Sequence, residues 1–403
     1  MNRFLKRAFE LKDEMIEDRR YIHQNAERGM NLPLTLNYVK NKLEQIGCVT
    51  EIIGEYGLTA VIGDVNSENV ILLRADMDAL PMIEENDLEF KTKTDSAHCC
   101  GHDLHTAMLL TAARILKENE NEIKGAVKLM FQPGEEVGTG AKYMVANGIL
   151  NNPVPKAVMG MHVNAKSPLG MINYGKGYTF SSNNSITINV YGKGGHGARP
   201  QETVDPIKVA CHIYMAIQSI KANSITPMSP VILTLTAING GSSFNLIPDK
   251  VEIKGTLRTY DEAIRQDVIK QIREKTEIIA SAFDAKAEVI FGDDIPPVIC
   301  SEKFTDELLG YASEIVGNEK IADKNEIKMG SDDFAFVTER YPGNSAYLFI
   351  GTGPNEHEGY VYGQHSTKVI FNEDALPYGA AILAQSAFKW LDNHFEDGDD
   401  KIE

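Results

Sequence analysis

The sequence predicts an α/β protein. A larger domain carries a mixed, mostly parallel sheet flanked by helices, and an inserted βαββαβ unit of ferredoxin-like order interrupts it. Three observations carry this. Short apolar runs that read as buried strands alternate with helix-period segments in the first 160 residues and again near the end. Between them, about a hundred residues follow the order strand, helix, strand, strand, helix, strand. The chain has 403 residues, 43% of them hydrophobic, enough for about two to three domains with sizeable cores.

The elements follow in order. Residues 4–25 space Phe4, Leu5, Ala8, Phe9, Met15 and Ile16 as a helix does. "TLNYVKNKLEQIG" repeats the pattern with Leu36, Val39, Leu43 and Ile46, and Gly47 is a suitable stop. "LTAVIGD", "NVILLRADMD", "AVKLMFQP" and "AVMGMHV" read as buried strands, "TAMLLTAARILKEN" and "GAKYMVANGIL" as helices. The inserted unit has strands at 185–194, 230–240, 250–260 and 286–292, with helices at 204–222 and 262–283. Helices at 303–316, 331–340 and 375–395 and the strand "SAYLFIGTG" then resume the α/β pattern. The expected domains are 1–182 with 293–403, and 183–292. The acidic tail 396–403 is expected to fray.

A formal net charge of −17 argues against nucleic acid or an anionic membrane surface as the main partner. The N-terminal "MNRFLKRAFELKDEMIEDRR" lacks the apolar core of a signal peptide, and no run reaches the ~18 apolar residues of a membrane span. Five scattered cysteines (48, 99, 100, 211 and 300) make no disulfide framework. The expectation is a cytoplasmic protein with free thiols.

The chemistry concentrates in "HCCGHDLH", residues 98–105, where three histidines, two cysteines and an aspartate share eight positions. A metal site, a redox thiol pair and a crowded polar loop all fit this stretch alone. Vicinal thiols form a strained ring, which disfavours the redox reading. Cys100 and His102 alternate on a loop entering the next helix and can face one centre, with Asp103 and Thr106 able to cap that helix. Further donors follow apolar strands: Glu135 and Glu136 after "KLMFQPG", His162 in "GMHV" and His365 in "VYGQH". Singly, each reads as a solvated acid or a core histidine. Together they occupy strand ends, where open α/β sheets gather ligands, and they suit a pair of Zn, Mn, Co or Ni ions. With Glu136 as a ligand, Glu135 points elsewhere and can move a proton between a metal-bound water and a leaving amine.

The run "RADMDALPMIEEN … AHCCGHDLHTAMLL … FQPGEE … GMHV … GGHGARPQETVDPI … NLIPDKVEIKGTLRT … MGSDDFAF" resembles the amidohydrolase branch of the aminoacylase-type metallopeptidases, enzymes similar to hippurate hydrolase and auxin–amino-acid conjugate hydrolases. The resemblance spans roughly residues 15–385. It implies a catalytic metal-binding domain with two divalent ions, and a lid domain through which the chain forms a homodimer. Carried over residue by residue, it implies Cys100, His102, Glu136, His162 and His365 as metal ligands and Glu135 as general base and acid. His196 would reach the other subunit's active site and steady the oxyanion, while Asn245 and Arg258 would contact substrate, Arg258 through its carboxylate. Asp76, Asp78, His98, Asp103 and His105 would support the ligands from behind. The implied substrate is an N-acyl amino acid or related amide. The alternatives are a metallo-dipeptidase or carboxypeptidase-like enzyme on the same ions, and a catalytically silent binding member. Among the departures from the family pattern, Cys99 replaces a usual Ala, Leu104 a usual Gly, and "PGEE" the commoner Pro-Ala-Glu-Glu.

Overall fold

The computed structural model describes residues 2–353 and 362–395, so the tail expected to fray lies outside the described residues. The chain divides into two compact units: residues 1–179, 299–327 and 333–403 form the first, and residues 180–298 with 328–332 form the second.

In the first unit, helices α1 (Arg3–Glu10), α2 (Lys12–Gln24) and α3 (Pro33–Gln45) precede strands β1 (Thr50–Ile53), β2 (Gly57–Gly63) and β3 (Val70–Asp76). Then come α4 (His102–Glu118), β4 (Ala126–Gln132), α5 (Gly140–Ala146), β5 (Ala157–Pro168) and β6 (Ile172–Gly175). The expected single helix over 4–25 is broken at Leu11, which caps α1 and opens α2.

The second unit contains β7 (Asn183–Tyr191), α6 (Pro206–Asn223), β8 (Val231–Gly240), β9 (Lys250–Thr259), α7 (Glu262–Ala282) and β10 (Lys286–Ile295). Its sheet is antiparallel in the order β8-β9-β7-β10. Both helices begin on aspartate caps: Asp205 accepts the Ile207 amide at 2.9 Å and Asp261 that of Ile264 at 3.0 Å. Their buried faces, with Val209, Ile213 and Ile217 on α6 and Val268 and Ile272 on α7, cover Ile186, Ile188, Val251 and Ile253 of the sheet. Each such side chain contributes roughly 1.5–3 kcal/mol by leaving water.

The chain returns to the first unit with α8 (Glu302–Val316), β11 (Ser345–Gly353) and α9 (Leu376–Asn393). The seven-stranded sheet runs β1-β2-β4-β3-β5-β11-β6. The sheet is mixed rather than mostly parallel: β4, β3, β5 and β11 form three parallel pairings, and three antiparallel ones add β2, β1 and β6. Short connections such as that between β1 and β2 dictate antiparallel neighbours at the edges, while the helical crossover α4 permits a parallel neighbour in the middle. Strands β3 and β4 are buried at every position, which explains their unbroken apolar reading.

Two more expectations are corrected. The helix expected over 331–340 shrinks to one turn, Ala335–Thr338. Just before it, the carbonyls of Lys328, Met329 and Gly330 accept from Ser181 and Arg258 of the second unit. This return of chain also lies outside the expected 183–292 segment. The second correction is that α4 begins at His102, four residues ahead of the apolar run. Its N-cap is left-handed Gly101 (φ 98°), with no side-chain cap from Asp103 or Thr106. Both lie inside the first turns and are buried, and they bond elsewhere in the first unit.

Candidate metal centre

The centre is built where parallel strands β3 and β4 end beside the middle of β5 and α4 begins. His102 donates from Nδ1 to the Asp78 carbonyl at 2.9 Å, which leaves Nε2 as its coordinating atom. His162 donates from Nδ1 to the Val163 carbonyl at 2.7 Å, so its Nε2 is likewise the free lone pair, and it accepts the Cys100 thiol at 3.3 Å. Glu136 Oε1 lies 3.8 Å from His102 Nε2 and 3.7 Å from His365 Nε2. Glu135 Oε2 is 3.9 Å from His102 Nε2. His365 is the exposed member. Its backbone is left-handed (φ 65°), and its amide donates to the Cys99 carbonyl at 2.9 Å, which fixes the loop beside Cys100.

Among the described residues five groups of donor atoms each close to within 4.8 Å: Cys100 with His102 and His162, Cys100 with Glu136 and His365, His102 with Glu135 and Glu136, Asp76 with His102 and His105, and Glu135 with Asp332 and Asp333. Cys100 and Glu136 each belong to two of them, and His102 to three. Separations of 3.3–3.8 Å are what ligands about 2.0–2.3 Å from one ion produce. His102 Nε2 and Glu136 Oε1 are buried and have no hydrogen-bond partner, as polar atoms awaiting a cation would be. The donor set therefore fits a metal.

The electrostatics agree. Burial opposes a charged His102, yet the Asp76 carboxylate and the Cys100 sulfur raise its pKa well above the usual value. The same surroundings that hold a proton on Nε2 would hold a cation. Burial, with Glu136 beside it, pushes the Cys100 thiol well above the ordinary range, so metal binding would displace its proton. Burial, reinforced by His105, keeps His162 neutral.

The supporting residues separate by their contacts. His105 accepts the Val163 amide on Nε2 at 2.9 Å, so its proton sits on Nδ1 and goes to Asp76 Oδ1 at 2.6 Å. Both nitrogens are committed, and His105 braces β5 rather than offering a lone pair. Asp76 Oδ2 lies 2.8 Å from Arg74 Nη1. Burial disfavours its charge, but Arg74, His102 and His105 hold it well below the carboxylate range. Asp78 accepts the amides of Glu135 and Glu136 at 3.0 and 3.1 Å. Asp103, expected as a cap, instead accepts Arg19 Nε at 2.7 Å and His23 Nδ1 at 2.9 Å. Thr106 donates to the Asp76 carbonyl at 2.8 Å. The structure does not bring His98 to the centre's donor groups; burial pushes its pKa down to about 3.

Sequence reasoning passed over a second buried set. Arg74 Nε donates to Gln132 at 2.9 Å, Gln132 donates to Asp333 at 2.5 Å, and Asp333 accepts the Ala141 amide at 2.9 Å, which ties α5 to the strand ends. The available signals were an arginine inside "VILLRAD" and the paired acids of "GSDD". "PGEE" also gains a reason: Gly134 is left-handed (φ 63°), where alanine would be strained.

Three expected site residues belong to the second unit. His196 pairs with Leu246 in a two-residue ladder, and its Nδ1 accepts the Ala198 amide at 3.1 Å, so Nε2 carries the proton of the neutral ring. Asn245 accepts Ser243 Oγ at 2.8 Å, and its carbonyl accepts the Gly197 amide at 2.9 Å. Arg258 donates to the Met329 carbonyl at 3.2 Å.

The model of peptidase family M20/M25/M40 matches residues 72–389. Thermostable carboxypeptidase 2 of Saccharolobus solfataricus is 37% identical over 389 residues, covering 94% of this chain and 96% of that protein. Hippurate hydrolase of Campylobacter jejuni is 34% identical over 387 residues, covering 95% and 98%. Among solved structures, a Bacillus subtilis protein described as a dinuclear metal binding peptidase from the M20 family matches with a TM-score of 0.77 and 28% identity, covering 95% of this chain and 99% of that one.

Proposed function

The chain belongs to peptidase family M20/M25/M40, and from that premise we propose that it is a metal-dependent amidohydrolase. It splits the amide bond of an N-acyl amino acid into a carboxylate and an amino acid. Two divalent ions are its cofactors, and Cys100, His102, Glu136, His162 and His365 would hold them. The observation that carries this is the cluster of linked donor groups, in which Cys100, His102 and Glu136 each stand in more than one. The dinuclear B. subtilis relative and the hippurate hydrolase relative support it.

When bound, the ions polarise the scissile carbonyl and lower the pKa of a water. Glu135, beside His102 but outside the ligand set, accepts that water's proton and delivers it to the departing amine nitrogen. His196 donates from Nε2 to the developing oxyanion, a role its accepting Nδ1 suits. Arg258 binds the amino acid's carboxylate with its two-pronged guanidinium, and Asn245 assists. The second unit acts as a ferredoxin-like lid and dimerisation domain, a reading its strand order supports, and His196 completes the site of the partner subunit. No helix among the described residues is long and apolar enough to cross a membrane, and all five cysteines are free. We place the working enzyme in the reducing cytoplasm.

Chelation should abolish hydrolysis and added Zn or Mn should restore it, tested on N-acetyl and N-benzoyl amino acids beside dipeptides. Full activity in metal-free enzyme would overturn the reading. The carboxypeptidase relative favours the second reading, a peptidase on the same ions, which cleavage confined to peptides would establish.

A further inference from the structure

We propose that Gln364 is the positioning residue for His365: its side-chain amide ties the turn that carries this exposed donor to the carbonyl of Val163. The inference rests on the metal centre proposed above, and it concerns a residue to which the family resemblance gives no role. His365 is the donor that packing holds least, with 58% of its side chain exposed. The Ser366 amide donates to the Gly363 carbonyl at 3.3 Å, so Gln364 and His365 are the two middle residues of a tight turn. The second of these positions is left-handed here (φ 65°), a place that glycine or asparagine usually fills. A histidine there is strained, and strain of this kind persists only where surrounding contacts enforce it.

Two contacts beside the strained residue do so. The His365 amide donates to the Cys99 carbonyl at 2.9 Å. Gln364 Nε2 donates to the Val163 carbonyl at 2.6 Å, and a carbonyl partner settles which end of the glutamine faces it. Each contact lands one residue from another donor, Cys99 beside Cys100 and Val163 beside His162. Val163 is a firm post. It sits in the β5–β11 ladder opposite Ile350, and its amide donates to His105 Nε2 at 2.9 Å. Its carbonyl takes His162 Nδ1–H at 2.7 Å on one lone pair and Gln364 on the other. The chain after His365 is held separately, where the Glu85 amide donates to the Thr367 carbonyl and Asn86 Nδ2 to the Val369 carbonyl, both at 2.8 Å. A methionine at 364 would keep the length of the side chain and remove the donor. The His162 contact would stay, so the loss should pass through His365 alone.

The test is a double-mutant cycle on metal affinity. Apoprotein of wild type, Gln364→Met, His365→Ala and the double variant is titrated with Cd2+ against a chromophoric chelator, and the apoprotein melting temperatures are measured beside it. Gln364→Met should weaken Cd2+ binding by about tenfold and melt within a few degrees of wild type. His365→Ala should weaken it further, and the double variant should match His365→Ala. Wild-type affinity in Gln364→Met would overturn the tether. Losses that add in the double variant would also overturn it, because Gln364 would then act on another donor. An apoprotein of Gln364→Met that melts far below wild type would assign the amide to the fold instead. Wild-type affinity in His365→Ala would remove the ligand and the tether together. A wild-type apoprotein that takes up no Cd2+ would overturn the metal centre itself.

Discussion

The candidate functional residues of the two units are held in opposite ways. In the first unit they are mostly buried and bonded more than once: His105 uses both ring nitrogens, Asp78 accepts at three oxygens, and Asp103 receives Arg19 and His23 together. In the second unit His196 and Asn245 are exposed, and each is steadied by a neighbour two residues away. Burial explains the difference. A polar group removed from water must find partners inside the protein, and a network of such partners fixes its geometry. An exposed group can rely on solvent and keep local freedom, which suits a residue that must meet substrate rather than hold an ion.

The comparison can be broken most directly at Glu135. Glu135→Gln keeps the shape but cannot accept a proton, and turnover should fall by roughly two to four orders of magnitude with metal content unchanged. Loss of metal would make Glu135 a ligand instead. Mixing this inactive chain with His196→Ala and allowing exchange should restore activity if a partner's His196 completes the site. Exchanged dimers that stay inactive would confine each site to one chain.

Arg258 tests whether a second-unit residue reads substrate. Arg258→Ala should cut kcat/KM by roughly a hundredfold for an N-acyl amino acid and barely change it for the matching amide. Equal losses would assign the guanidinium to its Met329 contact, a structural one.

The smallest effect concerns a buried charge of the first unit outside the site. Lys128 sits on β4 with its amine on the Asn151 and Pro153 carbonyls, and burial lowers its pKa to about 8 from 10.5. The unfolded chain therefore binds more protons between those values, and stability should rise with pH there, by at most about 1.4 kcal/mol per pH unit. Denaturant titrations of wild type and Lys128→Met across pH 7–10 should show this slope only in wild type. A slope shared by both would assign the effect to another group.

Part of this protein is legible in a line of text because the signals are local. Apolar runs marked β3, β4 and β5, and the helix-like stretch over 204–222 marked α6. Cys100 and His102 are two residues apart, Glu135 and Glu136 are adjacent, and side-chain chemistry alone makes them candidates for metal and proton work. Other facts have partners far along the chain. A separation of 84 positions between Arg19 and Asp103 hides why Asp103 is no helix cap, and one of 201 between Gln132 and Asp333 hides the brace behind α5. The antiparallel edges of the sheet follow from which strands meet, not from how each strand reads. Composition fixed which atoms could bind a cation. Which nitrogen of His102 faces the centre, and that His105 faces away from it, was decided by a carbonyl and an amide that only folding brings within 3 Å, because a tautomer is set by its hydrogen-bond partner and those partners are tertiary facts.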